Sequence, residues 1–231
     1  MLVLSNSIGT TMGMWDLQIP DLSRNFRVLR YDTRGHGASG VPAGAYSFDR
    51  LGRDMIELLD ALHLDRVHFC GLSLGGIVGQ WLGIHTPERI ERLILCNTSA
   101  FLGPAEQWER RITSVLEDKD MVETTEMFLR NWFPPRWLEA DGPTIAKFRA
   151  MLRRYRHASQ PQRTHCGDGT WRKAGCPISC ALVEYRTAAR VFECGARVPF
   201  VIDTQPIDAN FFVSREPFRR RTTRYISWRK I

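Results

Sequence analysis

Residues 67–76 read V-H-F-C-G-L-S-L-G-G, an apolar run that passes directly into a G-x-S-x-G turn. The run predicts a buried strand, and the residues after the turn are compatible with a helix. A sharp turn between strand and helix lifts a serine hydroxyl clear of the sheet, so Ser73 is the candidate nucleophile. Gly71 and Gly75 suit such a turn, because side chains there would collide. Ordinary glycine- and serine-containing loops match the same pattern, so the neighbouring segments must show whether this is a loop or a strand-to-helix turn.

Those neighbouring segments predict a mostly parallel sheet. Arg92–Cys96 is a second apolar run, and strand, helix, strand is the parallel crossover unit. Upstream, Phe26–Tyr31 predicts a strand that ends in D-T-R-G-H-G-A-S, and Leu2–Ser5 predicts another that ends in a polar, glycine-containing turn. A D-x-R-G-x-G-x-S turn one crossover ahead of a G-x-S-x-G turn is the pattern of the α/β-hydrolase fold. The predicted fold class is therefore α/β, and the resemblance to this fold implies helices on both faces of the sheet and a helical cap.

Five segments narrow this assignment to one family. They are L-V-L-S-N-S-I-G-T-T at 2–11, Y-D-T-R-G-H-G-A-S at 31–39, H-F-C-G-L-S-L-G-G at 68–76, Q-W-L-G-I-H at 80–85 and L-I-L-C-N-T at 93–98. These segments closely resemble bacterial 3-oxoadipate enol-lactonases of the β-ketoadipate route for aromatic degradation, over about residues 2–152. The resemblance implies opening of the enol-lactone to 3-oxoadipate by serine acyl transfer, without a cofactor. It also implies an oxyanion hole formed by the backbone N–H groups of Ile8 and Leu74.

Length and composition favour one core with an inserted cap. A chain of 231 residues with 43% hydrophobic content can bury one sizeable core. We expect a hydrolase core over residues 1–100, a helical cap over 101–151 and an atypical basic tail over 152–231. Relatives of this fold place two further strands before the one at Leu2–Ser5. No apolar run is long enough to cross a membrane and no leader pattern opens the chain, so a cytoplasmic protein without a membrane partner is expected.

Apolar spacing predicts the helices that cover the sheet. Ser47 precedes a helix whose apolar positions recur at helical intervals. A second helix, over Gly76–His85, is apolar on nearly every side. The apolar positions of the first helix are Leu51, Met55, Leu58, Leu59 and Leu62.

The cap is predicted as three aromatic-rich helices, Ala105–Glu117, Met121–Trp132 and Pro143–Met151. An aromatic roof with cations nearby would suit a small, flat lactone that carries a carboxylate. Trp132 and Arg130 are the candidates for facing the substrate. The alternative is that these aromatic side chains form the core of the cap itself.

The tail does not supply the rest of a catalytic triad. A hydrolase of this fold needs an acid and then a histidine after the cap. Asp208 lies near the expected position of the acid, with Asp203 as its rival, but the last histidine of the sequence is His165. No triad histidine is therefore found. His36, in the glycine-rich turn, is expected to be structural.

The tail admits three interpretations: a metal site, a nucleic-acid surface, or a sequence that was not selected to fold. Its four cysteines lack a C-x-x-C pair, which argues against zinc, and its arginine clusters lack a nucleic-acid recognition motif, so neither a metal site nor a nucleic-acid partner is expected. Residues 1–151 carry a net charge of −3, whereas residues 152–231 carry +10 and show no apolar period. A shift of reading frame near Met151–Arg154 would explain both the charge and the missing histidine.

The residues support two classes of function. The first is an enol-lactone hydrolase, impaired in this copy, or another small-molecule esterase of the same fold; its partner is a small lactone or ester. The second is a hydrolase-like protein that binds a small acid or a partner without turnover, and only the missing histidine supports it.

Overall fold

The computed structural model describes residues 1–43, 46–99, 105–117 and 120–154, and the backbone of residues 200–203. Its centre is a five-stranded parallel sheet in the order β2-β1-β3-β4-β5. The predicted parallel α/β architecture is confirmed. The strands are β1 Leu2–Ser5, β2 Val28–Arg30, β3 Val67–Leu72, β4 Ile90–Cys96 and β5 Phe200–Asp203.

Strand β3 lies at the middle of the sheet because it is apolar on both faces. Phe69 is fully buried on one face, and Cys70 and Leu72 are buried on the other. β1 and β4 flank β3, with Leu4 and Ile94 on either side of Cys70 in register. The central position of β3 brings the turn that follows it to the middle of the carboxyl edge of the sheet, where ligands bind in open α/β folds.

Two helices cover one face of the sheet. Helix α2, Phe48–Ala61, begins at Ser47, whose hydroxyl accepts the Arg50 N–H at 3.0 Å. Helix α3, Leu74–His85, begins two residues earlier than predicted and is buried along most of its length. The prediction that Leu62 packs on the sheet is wrong: α2 ends one residue before it, and Leu62 is 44% exposed.

The described part of the segment predicted as a cap contains four helices rather than the three predicted. They are α4 Ala105–Glu117, α5 Val122–Trp132, α6 Pro135–Ala140 and α7 Pro143–Arg153. The additional helix α6 has six residues, too few to show a helical period in the sequence. A short helix, α1 Ile19–Leu22, and two 3₁₀ turns complete the described helical elements. The 3₁₀ turns are Met12–Trp15 and Pro87–Arg89.

Helix α7 returns the cap to the core. Met151 packs into the core cluster under β1 and β3, together with Trp15. Lys147 forms an ion pair with Asp16, directly after the 3₁₀ turn. The end of the cap is therefore anchored beside the segment that follows β1.

Strand β5 lies at one end of the sheet. It pairs with β4 in parallel register, with Ile202 opposite Leu95 and Asp203 opposite Cys96. Asp203 therefore ends at the carboxyl edge of the sheet, whereas Asp208 lies outside the described residues. No helix among the described residues combines the length and apolarity that crossing a bilayer requires.

Candidate active site

Ser73 occupies a strained turn between β3 and α3. Its backbone torsions are φ 53° and ψ −112°, in a region that non-glycine residues rarely adopt. Three hydrogen bonds hold this conformation: the Ser73 N–H donates to Cys96 O at 2.9 Å, and the Ser73 carbonyl accepts from Thr98 Oγ1 at 2.9 Å and from the Ile77 N–H at 3.1 Å. Strain that is held in place at a serine is typical of a functional position.

The two glycines of the turn are required by backbone contacts. A Cβ on Gly71 would lie 2.1 Å from the Gly75 carbonyl oxygen, and one on Gly75 would lie 2.3 Å from the Ser5 carbonyl oxygen. The predicted reason for both glycines is confirmed. The second contact also shows that the start of α3 packs directly against the end of β1.

The turn after β1 lies beside this elbow. The Asn6 carbonyl accepts the Gly75 N–H at 3.0 Å, and the Ser7 carbonyl accepts the Thr10 hydroxyl at 2.8 Å. Ile8, between them in sequence, is 5% exposed. Within the part of the chain that the structure describes, the N–H groups of Ile8 and Leu74 make no hydrogen bond. The two candidate oxyanion donors therefore lie on adjacent segments, and neither is used in a hydrogen bond among the described residues.

The D-x-R-G-x-G-x-S turn closes over the segment that follows β1. Asp32 accepts the Met12 N–H at 2.7 Å and the Ala38 N–H at 3.0 Å. Gly37 adopts φ 53°, and a Cβ there would lie 2.0 Å from an Asp32 carboxylate oxygen. Arg34 forms a two-point ion pair with Asp54 of α2. This turn therefore joins the β1 turn to the helix layer.

His36 is engaged at both ring nitrogens, in agreement with its predicted structural role. Its Nε2 accepts the Gly9 N–H at 3.0 Å, so the ring proton lies on Nδ1, which donates to the Arg34 carbonyl at 3.0 Å. The side chain is 1% exposed, and burial lowers its pKa below the ordinary value of 6.5. His36 supports the turn that carries Ile8 as a neutral group and does not contact Ser73.

We expect acidification to destabilise the fold through His36. Because burial lowers the folded-state pKa, the unfolded chain binds the proton first as the pH falls below 6.5. The free energy of unfolding should then decrease by up to about 1.4 kcal/mol per pH unit until the folded-state pKa is reached. Urea denaturation of wild type and His36→Gln between pH 5 and 8 measures this slope.

The matched control is His68→Gln. Burial, followed by the charge of the N-terminus, lowers the pKa of His68, so it adds a smaller dependence of the same sign. His36→Gln should lose most of the slope and His68→Gln should keep most of it. Equal slopes in wild type and His36→Gln would contradict the buried, neutral state of His36.

The other described histidines lie far from the serine in the topology. His63 lies in the turn between α2 and β3. His68 is near the start of β3 and packs edge-on against Phe26, and His85 is at the far end of α3 against Trp81. Within residues 1–43, 46–99, 105–117 and 120–154, no histidine donates to or accepts from the Ser73 hydroxyl. His157 and His165 lie outside the described residues. No group of described residues could hold a metal ion.

The candidate substrate residues of the cap lie in different surroundings. Trp132 is partly buried, with its ring centroid 5.1 Å from that of Phe128 and 6.3 Å from that of Phe148. Its described ring contacts are thus to the cap's own aromatic cluster. Arg130 is exposed at the end of α5.

Sequence reasoning missed two polar residues at this edge, Asn6 and Thr98. Both follow parallel strands directly or within two residues, and that position in an α/β sheet is the signal that could have identified them. Thr98 supports the Ser73 carbonyl, and Asn6 is considered further below.

Comparison with known proteins places this site in a family. The family model described as alpha/beta hydrolase fold matches residues 1–168. The chain belongs to the alpha/beta hydrolase fold family. Among solved structures, a hydrolase from Pseudomonas aeruginosa is 51% identical with a TM-score of 0.71, over 87% of this chain and 69% of that chain. The enol-lactonase from Burkholderia xenovorans is 32% identical with a TM-score of 0.70, over 87% and 70%.

Curated relatives of this chain carry the names of two different activities. The 3-oxoadipate enol-lactonase 2 of Acinetobacter baylyi is 42% identical over 63% of this chain and 54% of its own length. A putative carbamate hydrolase, RutD, of Azorhizobium caulinodans is 33% identical over 65% and 57%. The chain therefore spans about half the length of the curated relatives it matches. The predicted resemblance to enol-lactonases is confirmed.

Proposed function

We propose that the site at Ser73 opens 3-oxoadipate enol-lactone to 3-oxoadipate by serine acyl transfer. The observation that carries this proposal is Ser73 itself, held at φ 53° and ψ −112° at the start of α3. The unused N–H groups of Ile8 and Leu74 on the adjoining segments support it. The 42% identity to an enol-lactonase favours this substrate over other esters.

The proposed reaction requires the serine, a base that takes its hydroxyl proton and later returns a proton to the leaving group, two backbone N–H donors and water. The Ser73 oxygen attacks the lactone carbonyl, and the carbonyl electron pair moves to oxygen, where the two N–H groups stabilise it. Collapse of this tetrahedral intermediate expels the ring oxygen as an enolate and leaves an acyl-serine, which water then hydrolyses. Each fixed N–H donor lowers the barrier by about 3 kcal/mol in enzymes where one has been removed. The partial positive charge at the start of α3 adds to this stabilisation.

We also propose that this copy is impaired. Serine attack requires a base to take the hydroxyl proton, and His36 is committed to Gly9 and Arg34. Asp203, at the end of β5 beside Cys96, and Asp208 are the proposed alternatives for the triad acid. No histidine of the sequence follows either of them.

For substrate binding, we propose that residues 101–151 form a cap over the core of residues 1–100. The partly exposed face of Trp132 would contact the lactone ring, and the exposed guanidinium of Arg130 would pair with the substrate carboxylate. An aromatic surface with one cation suits a flat, singly charged molecule.

Substrate preference tests the lactonase assignment even at low rates. Binding and an oxyanion hole alone retain about 10³- to 10⁴-fold acceleration over water in serine hydrolases that lack a triad member. We expect the chain to accelerate opening of the enol-lactone more than hydrolysis of p-nitrophenyl acetate or of a simple alkyl carbamate, each relative to its uncatalysed rate.

Two variants separate the alternatives. Arg130→Gln should lose most of the preference for the lactone, whereas Arg136→Gln, which changes an exposed arginine on the neighbouring helix α6, should keep it.

Preference for the carbamate would favour the activity named for the RutD relatives, and preference for the simple ester would favour a general esterase. Binding of 3-oxoadipate without acceleration of any substrate would favour the non-catalytic hypothesis.

A further inference from the structure

Asn6 joins three segments of the site through one buried side chain and its backbone. It follows β1 directly and is 0% exposed. Its Nδ2 donates to the Tyr31 carbonyl at 2.8 Å, its Oδ1 accepts from Trp15 Nε1 at 2.9 Å, and its carbonyl accepts the Gly75 N–H at 3.0 Å. The end of β2, the 3₁₀ turn and the start of α3 are therefore all fastened to this one residue.

The position of Asn6 relates it to both proposed oxyanion donors. Ile8 is two residues after Asn6 along the chain. Leu74 directly precedes Gly75, whose N–H donates to the Asn6 carbonyl. We propose that Asn6 is a positioning residue that holds the Ile8 and Leu74 N–H groups in register for one oxyanion. The inference rests on the proposed function, because it assigns a role within the same acyl-transfer site.

Few other side chains could replace the Asn6 carboxamide. The Tyr31 carbonyl can only accept and the Trp15 indole N–H can only donate, so these partners fix the orientation of the amide. An aspartate would set a carboxylate oxygen against the Tyr31 carbonyl in a fully buried position. A leucine would leave both partners unpaired. A neutral group that donates and accepts at once is what this position requires.

Close packing transmits the position of Asn6 to the elbow. The start of α3 lies against the end of β1 so tightly that a Cβ on Gly75 would lie 2.3 Å from the Ser5 carbonyl oxygen. On the other side, the Met14 sulfur accepts the Ser7 N–H at 3.4 Å and the Thr10 hydroxyl at 3.1 Å. If Asn6 is released, the β1 turn can move relative to the elbow, and the two donors no longer point at one atom.

Binding of phenylboronic acid to the full 231-residue chain tests this role without turnover. Boronic acids add to a serine oxygen as a tetrahedral adduct whose oxygen occupies the oxyanion position. Because binding is measured at equilibrium, solvent can take the hydroxyl proton, and the adduct does not require the base that the impaired copy lacks. ¹¹B NMR and calorimetry report the Kd for wild type, Asn6→Ala, Trp15→Phe and Ser73→Ala. The matched control is Ser47→Ala, which removes a helix-cap hydrogen bond at the start of α2 and leaves the site intact.

We expect Asn6→Ala to raise the boronate Kd by at least about tenfold, since displacement of a catalytic group by about 1 Å can cost 100-fold. The boronate Kd of Ser47→Ala should stay within about twofold of wild type, although this variant also lowers the thermal midpoint. If Asn6 had a purely structural role, Asn6→Ala and Ser47→Ala would have similar Kd values. If Asn6→Ala does not fold, Trp15→Phe provides the test, because it removes only the indole N–H that donates to the Asn6 amide. We expect Trp15→Phe to raise the boronate Kd about threefold.

Two results would overturn the role of Asn6. The first is a Kd in Asn6→Ala equal to that of wild type, provided that wild-type binding depends on Ser73. The second is an unchanged Kd in Trp15→Phe where Asn6→Ala is unfolded. Failure of wild type to bind, or equal binding by Ser73→Ala, would instead overturn the proposed acyl-transfer site and the role of Asn6 with it.

Discussion

The 231-residue chain is expected to open 3-oxoadipate enol-lactone about 10⁴- to 10⁶-fold more slowly than the lactonase of Acinetobacter baylyi measured in parallel. Loss of a triad member costs serine hydrolases a factor of this order in kcat. In this chain both nitrogens of His36 are committed to backbone groups, and no histidine follows residue 165. Ser73→Ala should therefore lower the remaining rate by less than about tenfold, because a serine without a base contributes little.

A rate like that of the relative, abolished by Ser73→Ala, would contradict this expectation. The base would then have to lie outside the described residues, and His157→Ala and His165→Ala would identify it. The control in either case is His68→Gln, since His68 lies near the start of β3, at the opposite end of that strand from Ser73.

The coding DNA provides an independent check on the missing histidine. We propose that a shift of reading frame near Met151–Arg154 produced the tail, whose net charge of +10 contrasts with −3 for the preceding residues. Translation of the two other forward frames beyond residue 150 should show an apolar strand that leads to an aspartate, followed about 25 to 30 residues later by a histidine. If neither frame does, the tail is native sequence and the non-catalytic hypothesis becomes the favoured one.

A large loss of stability is expected for Gly75→Ala. The added Cβ would lie 2.3 Å from the Ser5 carbonyl oxygen and 2.5 Å from its carbon, and a backbone group cannot rotate away as a side chain can. Either β1 or α3 must move, and overpacking of this kind costs about 3 kcal/mol or more. Urea denaturation of wild type and variant at pH 7 measures the difference in the free energy of unfolding.

Gly83→Ala is the matched control, because it makes the same change in the same helix. Its Cβ would meet only Leu93 Cδ2, at 3.2 Å, and alanine gains up to about 1 kcal/mol of helix propensity over glycine. We expect its stability to lie within about 1 kcal/mol of wild type. A similar decrease in the free energy of unfolding in both variants would show that the effect at Gly75 comes from changing a glycine in helix α3, and not from the contact with β1.

Local sequence patterns were sufficient to predict most of the scaffold. The apolar run at Val67–Leu72, the elbow around Ser73 and the hydroxyl cap at Ser47 each depend on residues that are close in the chain. Their periodicity and turn chemistry therefore appear in the sequence itself. Leu62 was misplaced because a helical period continues to match one residue past the end of the helix, where the chain has already turned towards solvent.

The sequence alone determined the α/β-hydrolase fold of this chain and the position of its serine in the elbow after β3, because the strand, the turn and the helix are formed by consecutive residues. Only the tertiary structure decided what the polar residues around that serine do. His36 is excluded as a base by a hydrogen bond from a residue 27 positions away, and Asn6 meets its partner Tyr31 across 25 positions. Such contacts arise when parallel strands bring their carboxyl ends together, and the spacing of residues along the chain does not predict them.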